Sequence, residues 1–135
     1  MARVARRDTR PEVELRRELH ARGLRYRVDR SPSLGLRGRA DILFGRALVA
    51  VYVDGCFWHS CPEHGVLPKG NREWWRRKLA ATVRRDRTMD LTLREMGWSV
   101  VRVWEHEDPM LAANRVESAV KTGLSRSVMS PRRAS

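Results

Sequence analysis

The sequence predicts an α/β fold, a sandwich built around a mixed β-sheet with helices packed on it. Three observations lead there. Four short runs have the composition and alternation of strands, and three longer stretches place apolar residues at helical spacing. The two kinds follow one another as helix, three strands, helix, strand, helix.

The first helix is announced by Thr9-Arg10-Pro11-Glu12, with Thr9 as N-cap, Pro11 in the first turn and Glu12 at the capping-box position. Leu15 and Leu19 share a face and Gly23 ends the helix. A short strand is expected near Leu24–Val28, followed by a Pro-, Ser- and Gly-rich loop at residues 31–38. Ala40–Phe44 and Leu48–Val53 read as strands joined through Gly45-Arg46 in an antiparallel hairpin. The second of these, Leu-Val-Ala-Val-Tyr-Val, is nearly all apolar, as suits a strand buried on both faces. Residues 54–70, rich in Cys, His, Gly and Pro, read as a loop. Asn71 then caps a long helix to Met96, its stripe formed by Trp75, Leu79, Val83, Met89, Leu93 and Met96, and Gly97 closes it. Trp98–Trp104 alternates as a strand, and Asp108-Pro109 opens a last helix from Met110 to about Thr122. The expected organisation is a flexible basic arm at residues 1–10, one domain over 11–122, and a disordered basic tail at 123–135.

Composition narrows the function. Hydrophobic residues make up 41% of the 135, enough for one packed core, and no apolar run is long enough to span a bilayer. The N-terminus has no apolar segment behind its arginines, and two cysteines make no disulfide scaffold. A collagen, a transmembrane protein and a secreted mini-protein are excluded by these features, and a reducing, cytoplasmic setting is expected. The 28 basic and 16 acidic residues give a net charge of +12. The excess is uneven. Arg3, Arg6, Arg7 and Arg10 stand at the start. Arg72, Arg76, Arg77, Lys78, Arg84, Arg85 and Arg87 mark the long helix, and Lys121, Arg126, Arg132 and Arg133 the end. Such a distribution suits a polyanion, nucleic acid above all.

Two constellations carry chemistry. Cys56, Cys61 and His64 form a compact cluster of zinc-type ligands, and His106 follows just beyond the last strand. Two thiolates and two imidazoles make the closed tetrahedral set of a structural Zn²⁺ site, which would order a loop too polar to be held by burial. His64 is preferred to His59 as the ligand, leaving His59 for other work. The second constellation is acidic: Asp41 begins one hairpin strand and Asp54 ends the other, so both come to one end of the sheet in a staggered alignment. Carboxylates so placed suit Mg²⁺, which can activate water for phosphodiester cleavage. Glu12 and Asp86 have structural alternatives, as capping partner and as salt-bridge partner among Arg84, Arg85 and Arg87.

Six segments together resemble one family. They are Arg7-Asp8-Thr9-Arg10-Pro11-Glu12, Arg39-Ala40-Asp41, Val53-Asp54-Gly55-Cys56-Phe57-Trp58-His59, Glu73-Trp74-Trp75-Arg76-Arg77-Lys78-Leu79, Arg85-Asp86-Arg87 and Gly97-Trp98-Ser99-Val100-Val101-Arg102-Val103-Trp104-Glu105. In the same order, over roughly residues 5–107, they resemble the very short patch repair (Vsr) DNA mismatch endonucleases. The resemblance implies a restriction-endonuclease-like fold of the PD-(D/E)xK class and a nick 5′ to the thymine of a T:G mismatch left by deamination of 5-methylcytosine. It implies Asp41 as main Mg²⁺ ligand, His59 as general base toward the attacking water, and Glu12 and Asp86 as supports for metal waters and histidine. Asp54 departs from members that carry histidine there. The zinc set maps as Cys56, Cys61, His64 and His106. Phe57, Trp58 and Trp75 match aromatics that enter the base stack beside the mismatch, which a weakly stacked T:G wobble makes less costly. Trp74 is expected to pack beneath the loop instead. Arg3, Arg6 and Arg7 on the arm, with Arg76 and Lys78 on the long helix, would meet phosphates.

The leading expectation is therefore a Mg²⁺-dependent, mismatch-directed nicking endonuclease acting on double-stranded DNA. It would work as a monomer, since a lone nick needs no second copy, near the nucleoid and ahead of further repair proteins. The alternatives are a sequence-specific restriction-type nuclease of the same fold, or a zinc-bearing DNA-binding module without catalysis.

Overall fold

Strand β3 (Val49–Asp54) lies inside a four-stranded sheet of order β1-β2-β3-β4, with β1 (Arg27–Arg30), β2 (Ala40–Phe44) and β4 (Ser99–Trp104). This is a computed structural model, and it describes residues 9–32, 38–55 and 67–129. Helices α1 (Arg10–Ala21) and α3 (Pro109–Met129) cover one face of the sheet and α2 (Arg72–Glu95) the other. β1 and β3 each run antiparallel to β2, whereas β4, reached through α2, runs parallel to β3. The expected mixed α/β sheet is thus present. No helix among the described residues is long and apolar enough to cross a membrane.

The pattern of β3 explains its place. Val49, Ala50 and Val51 are fully buried, so neither face of the strand meets water. Ile42, Phe44, Val49, Val51 and Val103 pack with Leu15 and Leu19 of α1 and Ala112, Ala113, Val116 and Val120 of α3. On the other face, Ala40, Leu43 and Ala50 meet Leu93 of α2, with Met89 and Trp98 alongside.

Several boundaries differ from expectation, each for a physical reason. Thr9 does occupy the N-cap of α1, but its hydroxyl donates to Glu12 Oε1 at 3.1 Å and caps no backbone N–H. After α1 the chain wraps before it extends. The Gly23 N–H donates to the His20 carbonyl at 2.9 Å, Leu24 N–H donates to Leu19 O at 3.1 Å, and the Tyr26 hydroxyl donates to Arg16 O at 2.9 Å. These contacts occupy residues 23–26, so β1 starts at Arg27, three residues beyond the expected Leu24. Gly97, at φ +95°, closes α2 as expected, and Trp98 N–H donates to Leu93 O at 2.9 Å. Met96, expected on the apolar stripe of α2, is exposed.

Helix α3 continues seven residues past the expected end near Thr122. Gly123 lies buried inside the helix against the β2–β3 turn. A Cβ on Gly123 would collide with the Ala47 carbonyl oxygen. The glycine is therefore a point of close approach, and the helix runs through the first part of the expected tail. Further along, α3 dresses the outer edge of β4. Arg115 Nη2 donates to the Arg102 carbonyl at 2.7 Å, the Trp104 N–H donates to Glu107 Oε2 at 2.7 Å, and Arg115 Nη1 meets Glu107 Oε1 at 2.6 Å.

Replacing Gly123 by alanine is expected to lower stability by about 1–3 kcal/mol, because the methyl must push α3 off the turn. Helix propensity alone would give a gain of about 1 kcal/mol. Thermal denaturation followed by circular dichroism reads the sign directly; a higher melting temperature would place α3 away from Ala47.

Candidate active site

The carboxylates gather where the hairpin opens. Residues Ile42↔Val51, Leu43↔Ala50 and Phe44↔Val49 are paired, and the same register carried one step on sets Asp41 opposite Tyr52, two residues short of Asp54. Alternation along the strands then puts Asp41, Tyr52 and Asp54 on the face that α2 covers. In the neighbouring parallel strand, Tyr52↔Arg102 and Asp54↔Trp104 are paired, so Arg102 belongs to the same face. The staggered placement of the two aspartates matches the sequence reading.

Asp41 is strongly perturbed. Its Oδ2 accepts the Val53 N–H at 2.7 Å. Burial pushes its carboxyl up to about 7, against the pull of that hydrogen bond, and the nearby charges of Glu12, Asp54 and Asp29 push it the same way. No basic side chain among the described residues pairs with it. Glu12, 4% exposed in the first turn of α1, accepts the Thr9 hydroxyl and lies close enough for its charge to act on Asp41.

Asp54, 6% exposed, is held differently. Arg102 Nη1 donates to its two oxygens at 3.0 and 3.3 Å. The rest of that guanidinium faces α2. Nε lies 3.1 and 3.0 Å from the oxygens of Asp90, Nη2 lies 2.8 Å from Asp90 Oδ1, and Asp86 Oδ1 is 3.8 Å from Nη2. The guanidinium carbon lies 4.4 Å from the centre of the Tyr52 ring. Burial works against the Arg102 charge, yet the Asp90 hydrogen bonds and the Asp54, Asp90 and Asp86 carboxylates outweigh it and raise its pKa. Burial likewise pushes Tyr52 up to about 12, with Arg102 opposing and Asp90, Asp41 and Asp54 adding. Asp86 therefore pairs with a strand residue, whereas the sequence offered its helical neighbours as partners.

The sequence reading missed Arg102, Asp90 and Tyr52. A signal existed: Arg102 is the single charged residue in the run Trp98–Trp104, and a charge inside a strand that packs under a helix requires a partner.

The remaining residues divide by location. The Glu105 N–H donates to Asp54 O at 3.0 Å, so His106 follows at the same sheet end from which the chain enters residues 56–66. His106 is exposed. Cys56, Phe57, Trp58, His59, Cys61 and His64 lie outside the described residues, as do Arg3, Arg6 and Arg7. Trp75 is half-buried and meets Trp74 edge to face, ring centres 4.8 Å apart. Trp74 is 50% exposed, with Lys78 Nζ 5.6 Å from its ring centre, which corrects the expectation that it packs beneath the loop. Helical geometry gives the reason: Trp75 and Leu79 share the inward stripe, and the residue before Trp75 points about 100° away. Arg76 and Lys78 are exposed on the same helix.

A sequence profile described as DNA mismatch endonuclease Vsr matches residues 1–63. The type II nicking enzyme V.NmeDIP of Neisseria meningitidis serogroup C is 38% identical over 125 residues, which are 87% of this chain and 82% of that one. The chain belongs to the Vsr endonuclease family. Another relative, the type II nicking enzyme V.NaeI of Lentzea aerocolonigenes, is 48% identical over 105 residues, 76% of this chain, which spans 63% of that enzyme's length. DNA mismatch endonuclease Vsr of Escherichia coli K12 is 36% identical over 108 residues, 78% of this chain and 66% of that one.

A divalent cation fits this Vsr-family site on its chemistry. Among the described residues no three His, Cys, Asp or Glu side chains gather tightly enough to enclose a metal. Mg²⁺ needs no such cage, taking one or two carboxylates together with waters and phosphate oxygens. Asp41 offers a hard oxygen donor whose charge burial leaves uncompensated, the condition a cation relieves. Zinc ligation rests on Cys56, Cys61 and His64, outside the described residues.

The raised carboxyl has a consequence for stability. Folded Asp41 holds its proton to about pH 7, whereas the unfolded chain releases it near 3.8, so its burial costs nothing at low pH and progressively more between those values. Asp41→Asn keeps an acceptor for the Val53 N–H and removes the charge. The variant is expected to raise the melting temperature of metal-free protein at pH 8, by on the order of 2 kcal/mol in stability, and to leave it unchanged at pH 4. Paired thermal melts at the two pH values check this; equal shifts at both would mean that the carboxylate is well hydrated.

Proposed function

We propose that the chain is a strand-nicking DNA endonuclease directed to T:G mismatches and assisted by Mg²⁺. The observation that carries the reading is Asp41: a half-buried carboxylate with no basic partner among the described residues, at the sheet end from which the Gly55-Cys56-Phe57-Trp58-His59 segment departs, in a chain of the Vsr family. Asp41 holds the cation. Bound there, Mg²⁺ supplies positive charge to the scissile phosphate and lowers the pKa of water. His59 takes the proton of the attacking water, a task suited to an imidazole titrating near neutrality. Glu12, fixed by Thr9, and Asp86, on the inner side of α2, hold the surrounding waters and the histidine in place.

The other parts serve the DNA. Phe57, Trp58 and Trp75 wedge into the stack beside the wobble pair, where unstacking costs least. Arg76 and Lys78, with Arg3, Arg6 and Arg7 of the arm, meet the phosphate backbone. Cys56, Cys61, His64 and His106 close a structural Zn²⁺ site that shapes the wedge loop. The enzyme acts as a monomer, in the cytoplasm at the nucleoid, and hands its nick to downstream repair proteins. A second reading, nicking directed by sequence in matched DNA, is favoured by the relatives that carry the name type II nicking enzyme.

Incubation of T:G, T:A and C:G duplexes with the protein and Mg²⁺ separates the readings. Nicking confined to the T:G duplex is expected; scission of matched DNA supports the sequence-directed enzyme, and binding without scission leaves only a binding module. Asp41→Ala is expected to slow nicking by at least about 10²–10³-fold while DNA affinity in a gel-shift assay persists. Trp58→Ala should lose about 1–3 kcal/mol of binding to the T:G duplex and less to the T:A duplex. Equal losses on both would remove the wedge.

A further inference from the structure

The two aspartates at the sheet end are electrostatically unlike, and the difference lies in Arg102. Its guanidinium is held on three sides. Asp90 takes Nε and Nη2 in a two-pronged contact, the Tyr52 ring lies 4.4 Å beneath, and Asp54 receives Nη1 on both oxygens. The side chains of Arg102, Asp90 and Asp54 are 22%, 14% and 8% exposed, so water screens these contacts poorly. A planar fork fixed in this way cannot rotate away from Asp54 without vacating the Asp90 contact. Asp41, by contrast, receives only the Val53 N–H among the described residues.

From this asymmetry, and resting on the assignment of the cation to Asp41, we infer that Arg102 is a positioning residue that withholds Asp54 from the divalent cation. Both oxygens of Asp54 are then engaged by the guanidinium, which offsets part of their charge, and Asp41 alone binds the metal directly. Asp90 acts one step further out, by setting the angle of the guanidinium.

The test measures metal affinity without DNA and without turnover. Free Mn²⁺, which accepts the same oxygen ligands as Mg²⁺, is counted by electron paramagnetic resonance as it is titrated into the full chain, with circular dichroism as a check of folding. Arg102→Gln should tighten Mn²⁺ binding roughly three- to tenfold by exposing the Asp54 charge, and Asp54→Asn should weaken it by a similar factor. The double variant Asp54→Asn/Arg102→Gln restores the charge balance and should return to within about twofold of wild type. A double variant as weak as Asp54→Asn alone would make Asp54 a direct ligand and overturn the inference, as would an Arg102→Gln variant with unchanged affinity. Should Arg102→Gln fail to fold, a crystal of the wild-type chain soaked in Mn²⁺ decides. An ion bonded to Asp41 and not to Asp54 supports the inference, and an ion bonded to Asp54 overturns it. Asp41→Asn reports on the underlying assignment separately: wild-type affinity in that variant would move the cation elsewhere and remove both readings together.

Discussion

Negative charges crowded into a poorly hydrated corner repel one another, and the fold tolerates the crowding at the end of this sheet only by treating each carboxylate differently. Glu12 is tied to a hydroxyl, Asp54, Asp86 and Asp90 share a guanidinium, and Asp41 holds its own proton more tightly than an ordinary aspartate does. A phosphodiester approaching such a corner would be repelled as well, unless a cation mediates. In the proposed enzyme the charge that destabilises the corner without metal is the charge that attracts the metal.

Sheet topology makes the corner possible. The antiparallel hairpin brings the start of β2 to the end of β3, and the parallel return through α2 lays β4 beside β3 in the same direction. The end of β1 is paired with the start of β2, so all four strands have a terminus at this end. The two helical layers leave the same place open on opposite sides, with the first turn of α1 supplying Glu12 and the middle of α2 supplying Asp86 and Asp90. One carboxylate from α1, two from α2 and two from the sheet converge without any long excursion of the chain.

Local patterns in the sequence were enough for the elements that local physics decides. The run Ala40–Phe44, the helical stripe through Trp75, Leu79 and Leu93, and the stagger of Asp41 against Asp54 all follow from periodicity and one short turn. The Arg102 cluster was harder to read, since its bonds to Asp90 and Asp54 span 12 and 48 positions and depend on the parallel register of β4. The extent of α3 was hard to read for a related reason: the close approach of Gly123 to Ala47 joins residues far apart in the sequence. Trp74 could have been assigned outward from its phase relative to Trp75, but two adjacent indoles in one motif obscured the 100° between them.

The side chains that α3 and its approach lend to β4 have a meaning beyond local bonding. An open strand edge is a template on which a foreign strand can lengthen the sheet, and among the described residues β4 is such an edge. Here the Arg102 carbonyl and the Trp104 amide are already engaged by Arg115 and Glu107, which also grip each other. An incoming strand would have to displace an ion pair before gaining its first ladder bond. The margin beside the carboxylate corner is thereby guarded against strand addition, while the sheet end next to it keeps its charged groups.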